Sequence, residues 1–379
     1  MRLPDLDLWI DSTTQYLLAA QEMDGPYRGA IWSEKAYHNP LLDHHAGGSH
    51  HYRTPGPAAA CFARQASGER GALLNERACL ALDWVCGRQH PDGALDEITN
   101  NEAPSRWHGD VREASTISLA LAVHGLAEAI RAGLPCKPEW RRFLTQAARW
   151  QLTAESPVGS GNFLHSGGYP PEKVILNACA HAAETLLSAS DLGEGSGEEQ
   201  ADWLQAAIRA LEQVLRCQAD DGAYPYSDLP GDTTISYTAA VCWCLQNGRG
   251  HEALAPIAGQ LNASCVRAID FLGTMVDDAG CLRWEPYETH GQKFRTYPMV
   301  MTVRVLARAG RQDTARRILG YLEDLYDPQR GLLRVLDIPL GQTVTIFGHR
   351  LFGEKIFEVA FNQADMLESL LDLREDSSA

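Results

Sequence analysis

The 379-residue chain is 45% apolar and 22% charged, the balance of an ordinary globular protein with material for a large core. Its formal net charge of −16 excludes a general binder of nucleic acid or of anionic membrane, since both need a basic face. No segment reaches the roughly 18 uninterrupted apolar residues of a membrane-spanning helix, and Asp5 and Asp7 stand where a secretory signal needs basic and apolar residues.

Helical periodicity runs almost from end to end, and no run of strand-like alternation interrupts it. In chain order, amphipathic helices are expected over 5–22, 70–89, 139–152, 198–218, 251–276 and 311–326. Between them come helices rich in small residues and apolar nearly all round, over 55–67, 112–131, 171–191, 234–247, 296–309 and 353–372. Ile117-Ser118-Leu119-Ala120-Leu121-Ala122-Val123 and Ala178-Cys179-Ala180-His181-Ala182-Ala183 show the second type. A helix apolar around its circumference is buried on every side, and small residues let its neighbours approach. Pro171 and Pro298 suit early helix positions.

A phrase closes the first helix at Gln21-Glu22-Met23-Asp24-Gly25 and returns at Gln89-His90-Pro91-Asp92-Gly93 and Gln218-Ala219-Asp220-Asp221-Gly222. Degenerate copies stand at Asp277–Gly280 and Asp327–Gly331, so the glycines are separated by 68, 129, 58 and 51 residues. The gap of 129 is two periods with one degenerate copy inside it. Because Asp24, Asp92 and Asp221 recur, they belong to the turn. A repeat of this length means a stacked or circular array. Six half-exposed and six buried helices in alternation give two concentric rings, an all-α (α/α)6 toroid forming one domain over 1–379.

Inner-to-outer connections are short, whereas outer-to-inner ones are long, at 23–54, 90–111, 153–170, 219–233, 277–295 and 327–352. These six loops are expected on one face, above the inner-helix N-termini, where backbone N–H groups give a positive partial charge. They hold ten of the thirteen histidines. Ten cysteines, without Cys-x-x-Cys spacing, read as buried thiols in a reducing compartment, so a cytoplasmic location is expected.

The densest cluster on these loops is Asp43-His44-His45-Ala46-Gly47-Gly48-Ser49-His50-His51-Tyr52-Arg53. His50, His51 and Tyr52 suit proton transfer and Arg53 substrate binding. Neutral imidazoles at His44, His45, His50 and His51 could ligate a divalent metal, although no helical His-x-x-x-His spacing fixes such a site, and loop packing is the competing reading. A second constellation is Trp107, His108, Asp110 and Arg112; Asp110 and Glu113 also match a capping box. Further loops supply Tyr237, Trp284, Glu285, Tyr287, His290, Arg295 and His349. Trp107, Trp284, Tyr224, Tyr226 and Tyr287, interleaved with charged groups, are the ingredients of a sugar site. Phosphate-loop, dinucleotide-binding and nucleophile-elbow motifs are absent.

Six hairpins with Gln-x-x-Asp-Gly turns resemble the α/α-toroid superfamilies over nearly the whole chain. Gln363-Ala364-Asp365-Met366-Leu367 is similar to the Gln-Ala-x-Met-Leu ending of the carbohydrate-active group, which comprises glycoside hydrolases, polysaccharide lyases and sugar epimerases. The turn phrase also resembles the repeat of terpenoid cyclases and prenyltransferases, with Leu or Tyr in place of its Trp. An Asp-x-Asp-Asp motif and a zinc-binding Asp, Cys and His set are missing, which favours the carbohydrate group. That resemblance implies an oligosaccharide or glycoconjugate substrate. Hydrolysis would use two carboxylates, with Asp110 and Glu285 the pair to test. A lyase would use Tyr52 or a histidine as base and Arg53, Arg112 or Arg295 against a uronate. The alternatives are an isoprenoid enzyme and a non-catalytic toroidal binding protein.

Overall fold

The computed structural model describes residues 5–31, 34–39, 44–46, 52–96, 114–166, 173–228, 235–283, 296–334, 343–346, 349–352 and 358–376. Side chains of the strands within 34–46 and 343–359, and of residues 235, 236, 297 and 376, are outside the description. Twelve α-helices appear among these residues. The outer set is α1 (Leu6–Ala20), α3 (Gly71–Cys86), α5 (Pro138–Thr153), α7 (Gly197–Arg216), α9 (Ala258–Thr274) and α11 (Gln312–Leu322). The inner set is α2 (Pro55–Arg64), α4 (Thr116–Arg131), α6 (Leu176–Leu192), α8 (Ile235–Gly248), α10 (Tyr297–Arg308) and α12 (Ala360–Asp376). Each inner helix packs on the next, and α12 packs back on α2, so the ring closes.

The two kinds of helix differ as their sequences require. Every residue of α6 from Leu176 to Ala189 is buried. In α7 only Trp203, Ala206, Ala207, Ala210, Leu211 and Val214 are buried, one stripe at helical spacing.

The turn phrase is a device for fastening neighbouring hairpins. Gln89 Nε2 donates to the carbonyl of Gly93 at 2.9 Å and to that of Phe143, on α5, at 3.1 Å. Gln218 repeats this with Gly222 and Ser264 at 3.0 and 2.9 Å. Asp92 and Asp221 accept the N–H two residues on, as befits turn residues. Gly93 holds φ at +97°, and a Cβ there would lie 2.1 Å from the Gln146 carbonyl oxygen. Only glycine fits.

The same fit identifies the hidden copy. It is Glu155-Ser156-Pro157-Val158-Gly159-Ser160-Gly161, in which Gly161 lies against Arg209 of α7. Glu155 takes the place of Gln, accepting from the Gly161 N–H at 2.9 Å and pairing with Arg209 at 2.9 Å. In the first copy the fitted glycine is Gly29, against Leu80 of α3, whereas Gly25 has nothing within 4 Å. In the last copy Gly331 lies against Ser12 of α1, which closes the outer ring.

Several expected boundaries move. α4 starts at Thr116 with Ser115 as its N-cap, so Asp110 and Glu113 are not its capping box. α6 starts at Leu176, which leaves Pro171 ahead of the helix, whereas Pro298 does occupy the first turn of α10. Over 251–276, a 3-10 segment Glu252–Ile257 containing Pro256 precedes α9. α12 starts at Ala360 rather than 353 because Glu358–Val359, here β7, pairs with β1 (Glu34–Asn39), itself paired with β2 (His44–Ala46). Tyr326–Asp327 (β3) pairs with Leu332–Leu333 (β4), and Thr343–Ile346 (β5) with His349–Phe352 (β6). These short ribbons decorate the long loops, and their few β-branched residues gave too brief an alternation to register.

Candidate functional site

Adjacent long loops touch one another above the inner-helix N-termini, as Ser115 bridges to Ser166 and Ile175 to Ser227. Arg53 stands at this mouth, two residues before α2. Its guanidinium lies 4.2 Å from the centroid of the Phe361 ring and its Nη2 is 3.9 Å from Asp365 Oδ2, both on α12. That is a loose ion pair, and Arg53 Nε has no hydrogen-bond partner among the described residues. Burial pushes the Asp365 carboxyl up to about 6, with Arg53 acting against the shift and Glu368 adding to it.

Below the mouth, charged groups line the axis in a closed belt. His124 on α4 donates Nδ1–H to Glu184 Oε1 at 2.8 Å and Nε2–H to Glu368 Oε1 at 3.1 Å. Arg304 on α10 donates to Glu368 at 2.7 Å and to Asp372 at 2.9 Å. Arg308 donates to Asp372 at 2.7 Å and to Asn247 of α8, and Asn247 donates to Glu184 at 2.8 Å. The circuit returns to His124 after crossing five inner helices, and Arg64 of the sixth joins it at Asp372, 2.7 Å away.

Burial opposes charge on His124, but its two carboxylates outweigh it and lift the imidazole to about 9. Glu184 is also opposed by burial, and His124, His181 and Asn247 together bring it down to about 2. His181, one turn nearer the mouth, is held at about 4 mainly by burial and is neutral at physiological pH. At the short-loop end the belt borders a cavity of about 430 Å³ lined by Arg64, Glu128, Arg131, Arg308, Asp372 and Glu375. Its arginines are all engaged in ion pairs. Among the described residues Arg53, at the mouth, is the more loosely paired guanidinium, at 3.9 Å from its carboxylate.

Of the residues expected to act, Tyr52 is buried and stacked on Trp84 of α3, centroids 5.3 Å apart. Burial raises its phenol to about 12, so it keeps its proton at neutral pH and offers a donor rather than a base. Tyr237, half-buried in the first turn of α8, forms an aromatic pair with Tyr226 at 4.4 Å. Tyr224 is fully buried beside Ser264, so it is core and no sugar platform. His50, His51, Trp107, His108, Asp110, Arg112, Trp284, Glu285, Tyr287, His290 and Arg295 lie outside the described residues. His44, His45 and His349 fall on strands whose backbone alone is described.

Asp365 and the belt are the candidate groups that periodicity missed. The available signal was a polar stripe on otherwise apolar helices. Asp365, Glu368 and Asp372 are spaced i, i+3, i+7; His181 and Glu184 i, i+3; Arg304 and Arg308 i, i+4. Gln363, from the motif near the C-terminus, holds the backbone of Leu333 through both ends of its amide, at 2.8 and 2.9 Å.

Comparison with solved structures settles the architecture. A glycosidase superposes with a TM-score of 0.67 at 15% identity, covering 98% of this chain and 99% of its own. The fold is an (α/α)6 toroid. A D-mannose isomerase (TM-score 0.66, 10% identity, 98% and 97% coverage) and an unsaturated glucuronyl hydrolase specific for heparin (0.66, 13%, 99% and 99%) share it. No protein-family model matches the sequence, and no curated protein matches it either. Among the described residues no helix is long and apolar enough to cross a membrane.

Proposed function

We propose that this chain is a sugar-transforming enzyme working by proton transfer at the long-loop mouth, with Asp365 as acid-base group and Arg53 as anchor for a substrate oxygen. The observation that carries this reading is Asp365 itself, a carboxyl lifted to about 6 beside a loosely engaged guanidinium. A group that titrates near neutrality both gives and accepts a proton at working pH. Phe361 and the Tyr226–Tyr237 pair add ring faces for the apolar side of a pyranose. The toroid's likeness to enzymes named for sugars, one glycosidase having been solved with glucose, points the same way.

Cleavage of a glycosidic bond is the first reading. It needs a second carboxylate across the bond, and Asp110 and Glu285 are the partners to test. A lyase variant would set Arg53, Arg112 or Arg295 against a uronate carboxylate, with His50 or His51 as base. Isomerisation or epimerisation is the second reading, favoured by the neutral His181 on whose charge Arg53 acts. Epimerisation takes a proton from one carbon and returns it to the opposite face, and isomerisation moves one proton between carbons and another between oxygens, so neither needs a carboxylate across a scissile bond.

The test is incubation in heavy water with neutral and uronic oligosaccharides and free aldoses. New reducing ends mark hydrolysis, ultraviolet-absorbing ends elimination, and deuterium on carbon without bond cleavage isomerisation or epimerisation. Asp365→Asn is expected to lower kcat by roughly 10²–10⁴ with little change in melting temperature, and the wild-type kcat/KM profile to carry a limb near pH 6. Thermal stabilisation by a prenyl diphosphate and by no sugar would overturn the reading.

A further inference from the structure

At the belt's Glu184 stands a group of donors that the cleavage reading does not use. His181 and Glu184 share one face of α6 a turn apart, and Cys244 faces them from α8. Cys244 Sγ is 3.3 Å from His181 Nδ1, His181 Nδ1 is 3.8 Å from Glu184 Oε2, and the three donor atoms all lie within 4.8 Å of one another. Ligand atoms around a tetrahedral zinc ion stand about 3.3–3.6 Å apart, so modest side-chain adjustment brings all three into range. All three residues are buried.

A second observation points to a ligand. Glu184 Oε2 is buried and accepts no well-aligned hydrogen bond among the described residues, having only the Cys244 thiol and the more distant His181 ring beside it, although Oε1 of the same carboxylate accepts two. Leaving such an oxygen empty costs free energy, and a cation between Oε2, the imidazole and the sulfur would satisfy it. The supports around it resemble those that orient metal ligands. His124 and Asn247 fix the Glu184 carboxylate from behind, each at 2.8 Å, and Trp243 packs edge-on against both histidine rings.

We propose that His181 Nδ1, Glu184 Oε2 and Cys244 Sγ form a binding site for one divalent cation of the zinc class. Imidazole, carboxylate and thiolate together select zinc or its spectroscopic stand-in cobalt over magnesium or calcium, which take oxygen ligands. Three protein donors leave a fourth position for water or a substrate oxygen. His181 and Glu184 are the sixth and ninth residues of α6, which sets the ion roughly 8–12 Å below the helix N-terminus, among the buried groups of the axis. Binding involves no redox change. The cation replaces the Cys244 thiol proton, which leaves to solvent. The inference is independent of the cleavage reading, and a cation here would occupy the imidazole that the isomerisation reading uses.

Cobalt titration tests it, on protein produced without a histidine tag and stripped with a chelator. Wild type is expected to bind one equivalent with visible d–d bands and a near-ultraviolet thiolate-to-cobalt charge-transfer band, both abolished by one equivalent of zinc. Cys244→Ser should lose the charge-transfer band and bind zinc weaker by roughly two orders of magnitude, while Cys242→Ser should retain both. Failure of the wild type to bind cobalt would overturn the site, as would persistence of the band in Cys244→Ser. Cobalt taken up without a thiolate band would place the ion elsewhere, the loop histidines included, and overturn it equally. The wild-type spectrum decides even if a variant fails to fold.

Discussion

The rim turns and the axial belt solve the same problem in opposite ways. Both satisfy polar groups inside a packed ring. At the rim a neutral Gln captures two backbone carbonyls, or Glu155 takes a backbone N–H and an arginine instead, and a glycine lets one backbone rest on the next. Every copy acts locally, so the motif repeats. On the axis the charges share partners across helices, Asp372 with three arginines and Glu368 with His124 and Arg304, and no two inner helices contribute the same set. The rim is modular and the belt is one cooperative object.

Breaking the belt should cost most. Arg304→Met takes the shared cation from between Glu368 and Asp372 and leaves Glu368 with His124 alone, and a loss of about 3–5 kcal/mol is expected in urea unfolding. Belt residues should also couple: His124→Gln and Glu184→Gln combined should cost well below the sum of the two, whereas Gln89→Ala and Gln218→Ala should add.

Alkali probes the belt without mutation. The folded pKa of His124, about 9, is raised above that of the unfolded chain, so its contribution is fully present below about pH 6.5 and disappears as pH climbs through 9. A decline on the order of 3 kcal/mol over that window is expected, and it should be absent in His124→Gln. On the acid side the neutral His181, held at about 4, withdraws stability as pH falls from 6.5 to 4, because the unfolded chain takes the proton first.

The rim should yield smaller effects. Gly29→Ala is expected to lose about 2–3 kcal/mol from strain and from collision with the Leu80 carbonyl. Gly25→Ala, at positive φ but in open space, should lose about 1 kcal/mol. Equal losses would contradict the assignment of Gly29 as the fitted glycine. Gln89→Ala should cost least, about 1 kcal/mol by thermal or urea unfolding.

This contrast explains what could be read in advance. Repetition and burial periodicity leave marks in the sequence, so twelve helices, two rings and the long-loop face were legible. The third copy escaped because Glu155 and Arg209 replace the glutamine's two carbonyl contacts with a salt bridge. The belt was hidden because a few charges scattered on apolar helices barely change their average, and each partner lies many residues away. Loop histidines drew attention by number. Yet among the described residues the histidines on the axis are His124 and His181, two of the three outside those loops. Asp110 and Glu285 remain candidates from sequence alone.

Ring closure also has a consequence for the order of events during synthesis. Thr13 meets Tyr326 at 2.7 Å across 313 residues, and Gly331 rests on Ser12. Helices α1 and α2 both pack on α12, which leaves the ribosome after the other eleven helices. The nascent chain can stack hairpins one on another as they emerge, but its first hairpin keeps an unsealed flank until the final one arrives. Such late, distant contacts slow the last step of folding. A chain re-opened between two middle hairpins, with its old ends joined, would move that exposed seam elsewhere in the ring without altering the finished fold.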